Sequence, residues 1–92
     1  MNKSDLTRQI AERAGLTRAQ ADTAVSETLE HITLALSRGE RVALPGLGSF
    51  SVGERAAREQ KNPATGETMH VEAHKTVRFR AASALRQAVK GE

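Results

Sequence analysis

From Gly53 to Lys75 the chain carries only two large apolar side chains, Met69 and Val71, so a quarter of its 92 residues cannot face a hydrophobic core. The remainder has to supply that core with no Trp or Tyr and only two aromatic rings, Phe50 and Phe79. A core of Leu, Ile, Val and Ala in a chain of this length is thin. Small domains in this position add disulfides, a metal or a partner subunit, and with no cysteine the first route is closed. Association of subunits is the expected remedy. The lack of cysteine also suits a reducing cytosol, and no apolar run is long enough for a signal peptide or a membrane span. A soluble, single-domain intracellular protein is expected, with no membrane partner.

Charge adds a direction. The formal net charge is +3, and it is unevenly placed: residues 1 to 46 hold six basic and six acidic side chains, residues 47 to 92 eight and five. A polyanion would meet the second half, although a mixed-charge solvated surface accounts for the same count.

The order of elements narrows the choice. Ser4 is placed to cap a helix in which Leu6, Ile10 and Ala14 recur every fourth residue, and Gly15 suits its left-handed end. Thr17 with Gln20 three residues on reads as a capping box, opening a second helix with Ala21, Val25, Leu29, Ile32 and Leu36 on one stripe and Arg38-Gly39 at its end. The pair forms a helical hairpin or a DNA-reading helix-turn-helix. Asp22, Glu27 and Glu30 on the outer side of the second helix would repel phosphate and favour the hairpin. Val42 and Leu44 then alternate, Pro45-Gly46 marks a turn, and Gly48, Phe50 and Val52 share a face. The apolar-poor stretch is centred on Lys61-Asn62-Pro63-Ala64-Thr65-Gly66-Glu67, which is rich in turn formers, so it reads as a protruding two-stranded ribbon or as a disordered segment. Val77 and Phe79 alternate with Arg78 and Arg80, and Ala81, Leu85, Ala88 and Val89 line a final helix. The order is ααβββα with an arm interrupting the sheet, an α+β chain.

These residues resemble the HU/IHF family of bacterial nucleoid proteins, from Met1 to about Lys90. Gly46-Leu47-Gly48-Ser49-Phe50, then Arg55 and Arg58, then Asn62-Pro63-Ala64-Thr65-Gly66 are similar to the family signature in order and spacing. The opening Met1-Asn2-Lys3-Ser4-Asp5-Leu6 and the closing Ala84-Leu85-Arg86-Gln87-Ala88-Val89 resemble its ends. The resemblance implies one domain over 1–92. Within it, residues 1–39 are a helical dimerisation base, 40–52 and 76–80 a three-stranded antiparallel saddle sheet, 53–75 a DNA-binding β-arm and 81–90 a C-terminal helix.

It further implies an intertwined homodimer, or a heterodimer with a related subunit, whose arms enter the minor groove of double-stranded DNA, with preference for distorted, nicked or bent duplex. Leu29, Ile32, Leu36, Leu44, Leu47, Phe50, Phe79 and Leu85 are the expected dimer core. Arg55, Arg58 and Lys61 suit an arm that follows the groove, and Asn62, Pro63, Thr65 and Gly66 its tip. Pro63 is rigid, lacks an N–H and presents an apolar ring; taken alone it reads as an ordinary turn residue, and it is the resemblance of the whole segment that implies intercalation between base pairs. Lys3, Lys75, Arg78, Arg80 and Arg86 are candidates for phosphate contacts on the flank and saddle. The chain departs from the family pattern at Leu47, Gln60, Val77 and Ser83. Glu67 and His70 occupy arm positions that are often basic, so DNA should be held less strongly than by a typical member.

Catalysis has no support: His31, His70 and His74 lack a nucleophile motif, and the glycines near 46–53 are not followed by Gly-Lys-Ser/Thr. His70 and His74 are four apart but have no third ligand, so they read as surface histidines rather than a metal site. No metal or cofactor is expected. Three functions are compatible with the residues. One is a low-specificity architectural protein that bends and compacts DNA in the bacterial cytoplasm and nucleoid. Another is an IHF-like, site-preferring bender. The third is a dimeric scaffold whose basic arm grips an acidic protein.

Overall fold

The computed structural model describes residues 1–91; Glu92, the last residue of the expected 1–92 domain, lies outside them. Helix α1 (Lys3–Ala14) and helix α2 (Arg18–Ser37) form the hairpin. Spacing in the sequence favours Ser4 as the first cap, but the cap is Asn2. Its side chain accepts from the Asp5 amide at 2.9 Å, and Asp5 reaches back to the Asn2 amide at 3.3 Å. Ser4 lies inside the first turn and accepts instead from Arg18 Nη2 at 3.0 Å, tying the two helices together. Gly15, with φ of 68°, closes α1 in the left-handed conformation, and Thr17 and Gln20 form the expected capping box on α2.

Five strands follow: β1 (Val42–Leu44), β2 (Gly48–Arg55), β3 (Arg58–Lys61), β4 (Thr68–Val71) and β5 (His74–Ala81), then helix α3 (Ser83–Lys90). The β1–β2 connection is a Leu44-Pro45-Gly46-Leu47 turn in which the Leu47 amide donates to Leu44 at 3.0 Å. Pro45 presets the first central residue and Gly46, with φ of 86°, takes the positive dihedral at the second. Strands β1, β2 and β5 make one antiparallel sheet in that order, and β3 and β4 pair separately as the arm. The larger sheet runs out to the Arg55–His74 pair, further than the expected limits of residues 52 and 76. Both strands then break together at Ala56-Ala57 and Glu72-Ala73, where the arm begins. The last helix starts later than residue 81. Ala81 still pairs with Gly48 in β5, and Ala82 is the helix cap, its amide held by the Leu47 carbonyl at 2.9 Å.

Register sorts the side chains onto two faces, since directly opposed residues in an antiparallel pair point the same way. Val42, Leu44, Phe50, Val52, Val77 and Phe79 share one face, and the Phe50 and Phe79 rings meet at 4.9 Å. Gly48 is required there, because a Cβ would fall against the Arg80 carbonyl and 2.8 Å from the Phe79 ring.

Little of this apolar surface is covered within one chain. The only buried hydrophobic residues among those described are Ala21 and Val25. Of the expected dimer core, Leu29, Leu47 and Phe79 are exposed, while Ile32, Leu36, Leu44, Phe50 and Leu85 are half-buried. The chain exposes 7388 Å² at 9.9 kDa. A compact monomer of that mass exposes about 5,200 Å². Its radius of gyration is 18.9 Å, against about 12 Å for a compact domain of this length. The extended arm and the exposed Leu29, Leu47, Val77, Phe79 and Val89 both contribute to the excess.

Candidate nucleic-acid interface

The face of the sheet opposite the apolar one is polar. Ser49, Ser51, Gly53 and Arg55 of β2 stand across from Arg80, Arg78, Thr76 and His74 of β5. Gly53 leaves room for the Arg78 guanidinium to lie flat across the strand: a Cβ at Gly53 would meet Arg78 Cζ at 2.6 Å. Arg55, Arg78 and Arg80 therefore project from one surface. Lys75 does not join them. It is opposed to Glu54 and shares the face of Val77 and Phe79.

Arg80 also lines a cleft of about 350 Å³ with Arg41, Arg86, Ser49 and Ser83. Arg86 Nη2 lies 3.5 Å from the Ser83 hydroxyl in the first turn of α3. Sequence patterning alone did not single out Arg41. It stands two residues before Ala43, which register places on the polar face. Lys3 is on the helical base, 4.0 Å from Asp22 of α2, so its charge is shared with a carboxylate.

The arm tip is built locally. The Asn62 amide donates to the Glu67 carbonyl and the Gly66 amide to the Asn62 carbonyl, both at 2.7 Å. The Asn62 side chain accepts from the Ala64 amide at 2.9 Å, and Thr65 Oγ1 from the Glu67 amide at 3.3 Å. Gly66 supplies the positive φ, 76°, that turns the chain back. Pro63 is left exposed at the apex, with Arg58 and Lys61 exposed on β3.

The charges of residues 53–75 revise the picture of a basic arm. Arg55, Arg58, Lys61 and Lys75 are balanced by Glu54, Glu59, Glu67 and Glu72, so with neutral histidines the arm has no formal net charge. The positive excess of the second half lies on the sheet and α3 instead, in Arg78, Arg80, Arg86 and Lys90. On the arm, His70 sits opposite Glu59 with Nδ1 at 3.4 Å from Glu59 Oε1 and Nε2 at 3.1 Å from Glu72 Oε1. The two carboxylates engage opposite edges of the ring, and among the described residues no group of three or more His, Cys, Asp or Glu is placed to hold a metal ion. No helix among them is long and apolar enough to cross a membrane.

Residues 1–90 match the family described as bacterial DNA-binding protein. The chain is 47% identical to the DNA-binding protein HU of Staphylococcus aureus over 90 residues, covering 98% of this chain and 100% of that one. It is 46% identical to DNA-binding protein HU-beta of Neisseria meningitidis over 89 residues, covering 97% and 100%. Among solved structures, an Anabaena HU–DNA cocrystal structure superposes with a TM-score of 0.90 at 41% identity over the whole of both chains. HU from Thermotoga maritima gives 0.67 at 27% identity, covering 97% of this chain and 98% of that one.

Proposed function

We propose that this chain, which belongs to the bacterial DNA-binding protein family and is similar to HU along its whole length, is an architectural DNA-binding protein that works as a dimer on the bacterial chromosome. The observation that carries this reading is the two-sidedness of the three-stranded sheet. One face offers Phe79, Val77 and Val52 to a second subunit, and the other offers Arg55, Arg78 and Arg80 to a polyanion. The two requirements are met on opposite sides, so pairing the subunits leaves the arginines free.

The arms would then flank the bound duplex and reach its minor groove with Pro63 leading. Minor-groove binding with apolar wedges is a property of HU and IHF proteins, and the exposed Pro63 at the apex of this arm suits that role. Guanidinium and ammonium groups on an exposed ribbon suit phosphate and groove shape more than any one base edge, which favours low sequence preference. Arg41, Arg86 and the sheet arginines supply most of the attraction, and Pro63 part of the bend.

Gel-shift titration of intact, nicked and pre-bent duplexes at stated salt, with energy transfer between labelled duplex ends, tests this reading on the wild type and Pro63→Ala. Unstacking a base step costs on the order of a few kcal/mol. The variant should bend intact DNA less and favour distorted over intact duplex more than the wild type does. Unchanged bending and unchanged preference in a folded variant would reduce Pro63 to a turn residue. Failure of the wild type to bind any duplex, with capture of an acidic protein retained, would replace the DNA reading by the scaffold one.

A further inference from the structure

Histidine is the side chain whose ordinary titration falls between about pH 5 and pH 8, and the formally neutral arm carries two, His70 and His74, of which His70 stands between two carboxylates. A neutral imidazole has a single N–H and presents a lone pair at its other nitrogen. His70 has carboxylate oxygens at both: Glu59 Oε1 at 3.4 Å from Nδ1, and Glu72 Oε1 at 3.1 Å from Nε2. Only the doubly protonated ring donates to both carboxylates at once. Of the other charged groups on the paired strands, Lys61 lies two residues beyond Glu59 on the same face, and Arg58 lies on the opposite face against Val71. His74, on β5, meets the Glu72 carbonyl with Nδ1 at 3.0 Å and pairs with Arg55. His70 and its carboxylates are exposed, so a duplex held by the arm has access to them.

We propose that the Glu59–His70–Glu72 cluster couples protonation to DNA binding, so that the arm holds duplex more tightly as the pH falls. The inference rests on the DNA-binding reading above and adds its regulation. With His70 neutral, four carboxylates cancel four cations and the arm contributes little net attraction. With His70 protonated and His74 neutral, the arm carries +1, and the imidazolium offsets half the charge of the two carboxylates nearest to it. Phosphates nearby favour that charged form, so the complex binds more protons than the free protein. By linkage, affinity rises as the pH is lowered through the histidine range. Each arm of a dimer would respond separately.

The test is duplex affinity at fixed ionic strength between about pH 8 and about pH 6, read by anisotropy of a labelled duplex. The variants are His70→Gln, His31→Gln and Glu59→Gln/Glu72→Gln. A one-unit rise in the proton affinity of a single group on binding gives about a tenfold change in Kd, and two arms up to about a hundredfold. The wild type should bind at least about tenfold more tightly at the lower pH, with a steeper salt dependence. His70→Gln should lose most of that gain while still binding at the higher pH. His31→Gln, on α2 beside Glu27 and away from the arm and the arginine face, should keep most of it, and the double glutamine variant should bind more tightly than wild type at the higher pH. A wild type that binds at the higher pH without tightening, or a His70→Gln variant with the full response, would overturn the inference and leave the DNA reading intact. Absence of duplex binding at every pH would overturn both.

Discussion

Replacing Phe79 by Ala separates a chain that folds alone from one that needs a partner. A Phe side chain offers about 200 Å², and the single chain leaves Phe79 47% exposed. About 110 Å² is therefore covered by Phe50 and its neighbours, and about 90 Å² remains for a second subunit. At about 25 cal/mol per Å² these portions are worth about 2.7 and about 2.3 kcal/mol. A monomer should lose only the first. A dimer should lose their sum, about 5 kcal/mol per subunit, which matches the upper end for Phe→Ala at a fully buried site.

Urea unfolding at about 1 and about 100 micromolar protein reads the difference, because dimer stability shifts by about 2.7 kcal/mol over a hundredfold change in concentration. The wild-type midpoint should rise with concentration, and Phe79→Ala should be largely dissociated or unfolded at the lower one. A concentration-independent wild-type midpoint, with Phe79→Ala losing only about 2 to 3 kcal/mol and running at monomer mass, would refute the assignment of this face to a partner.

Arg78→Ala/Arg80→Ala should reduce the slope of log affinity against log salt by about 0.9 for each phosphate that is no longer neutralised, up to about 3.6 across a dimer. Lys75→Ala, on the other face, should leave the slope nearly unchanged, and equal effects would remove the distinction between the two faces. Gly48→Ala should lower stability by about 2 kcal/mol, the cost of forcing a Cβ against the Arg80 carbonyl and the Phe79 ring. Thermal denaturation checks it, and an unchanged melting temperature would mean that the β2–β5 approach is looser than the register implies.

Features governed by neighbours a few residues apart were legible in the sequence. The Thr17–Gln20 box, the Gly15 end of α1 and the Pro45-Gly46 turn are set by local backbone preference and short side-chain reach. Strand alternation likewise put Phe50 with Val52 and separated Phe79 from Arg78 before any partner strand was known, because successive strand residues point to opposite faces. The neutrality of the arm was also legible, but the basic excess of the whole second half masks it. The resemblance supplied what periodicity left open, namely that the apolar-poor stretch is an ordered ribbon and that its turn is built around Pro63.

Local rules failed where two residues could serve one role. Asn2 and Ser4 both cap helices well, and Arg18 of α2 engages the Ser4 hydroxyl, a partner fourteen residues away. The boundary at Ala81 was likewise decided by pairing with Gly48, not by helix periodicity. Arg41 was missed because its cleft is assembled from β1, β2, β5 and α3, which meet only when the sheet closes. The split of Lys75 from Arg78 and Arg80 needed the β2–β5 register, and the Glu59–His70 pairing needed the register that the tip imposes on β3 and β4. Composition determined that one chain has too little apolar surface to bury and which side chains carry charge. Tertiary structure decided which of those charges stand together, because a one-residue slip in strand pairing would send each of them to the other face.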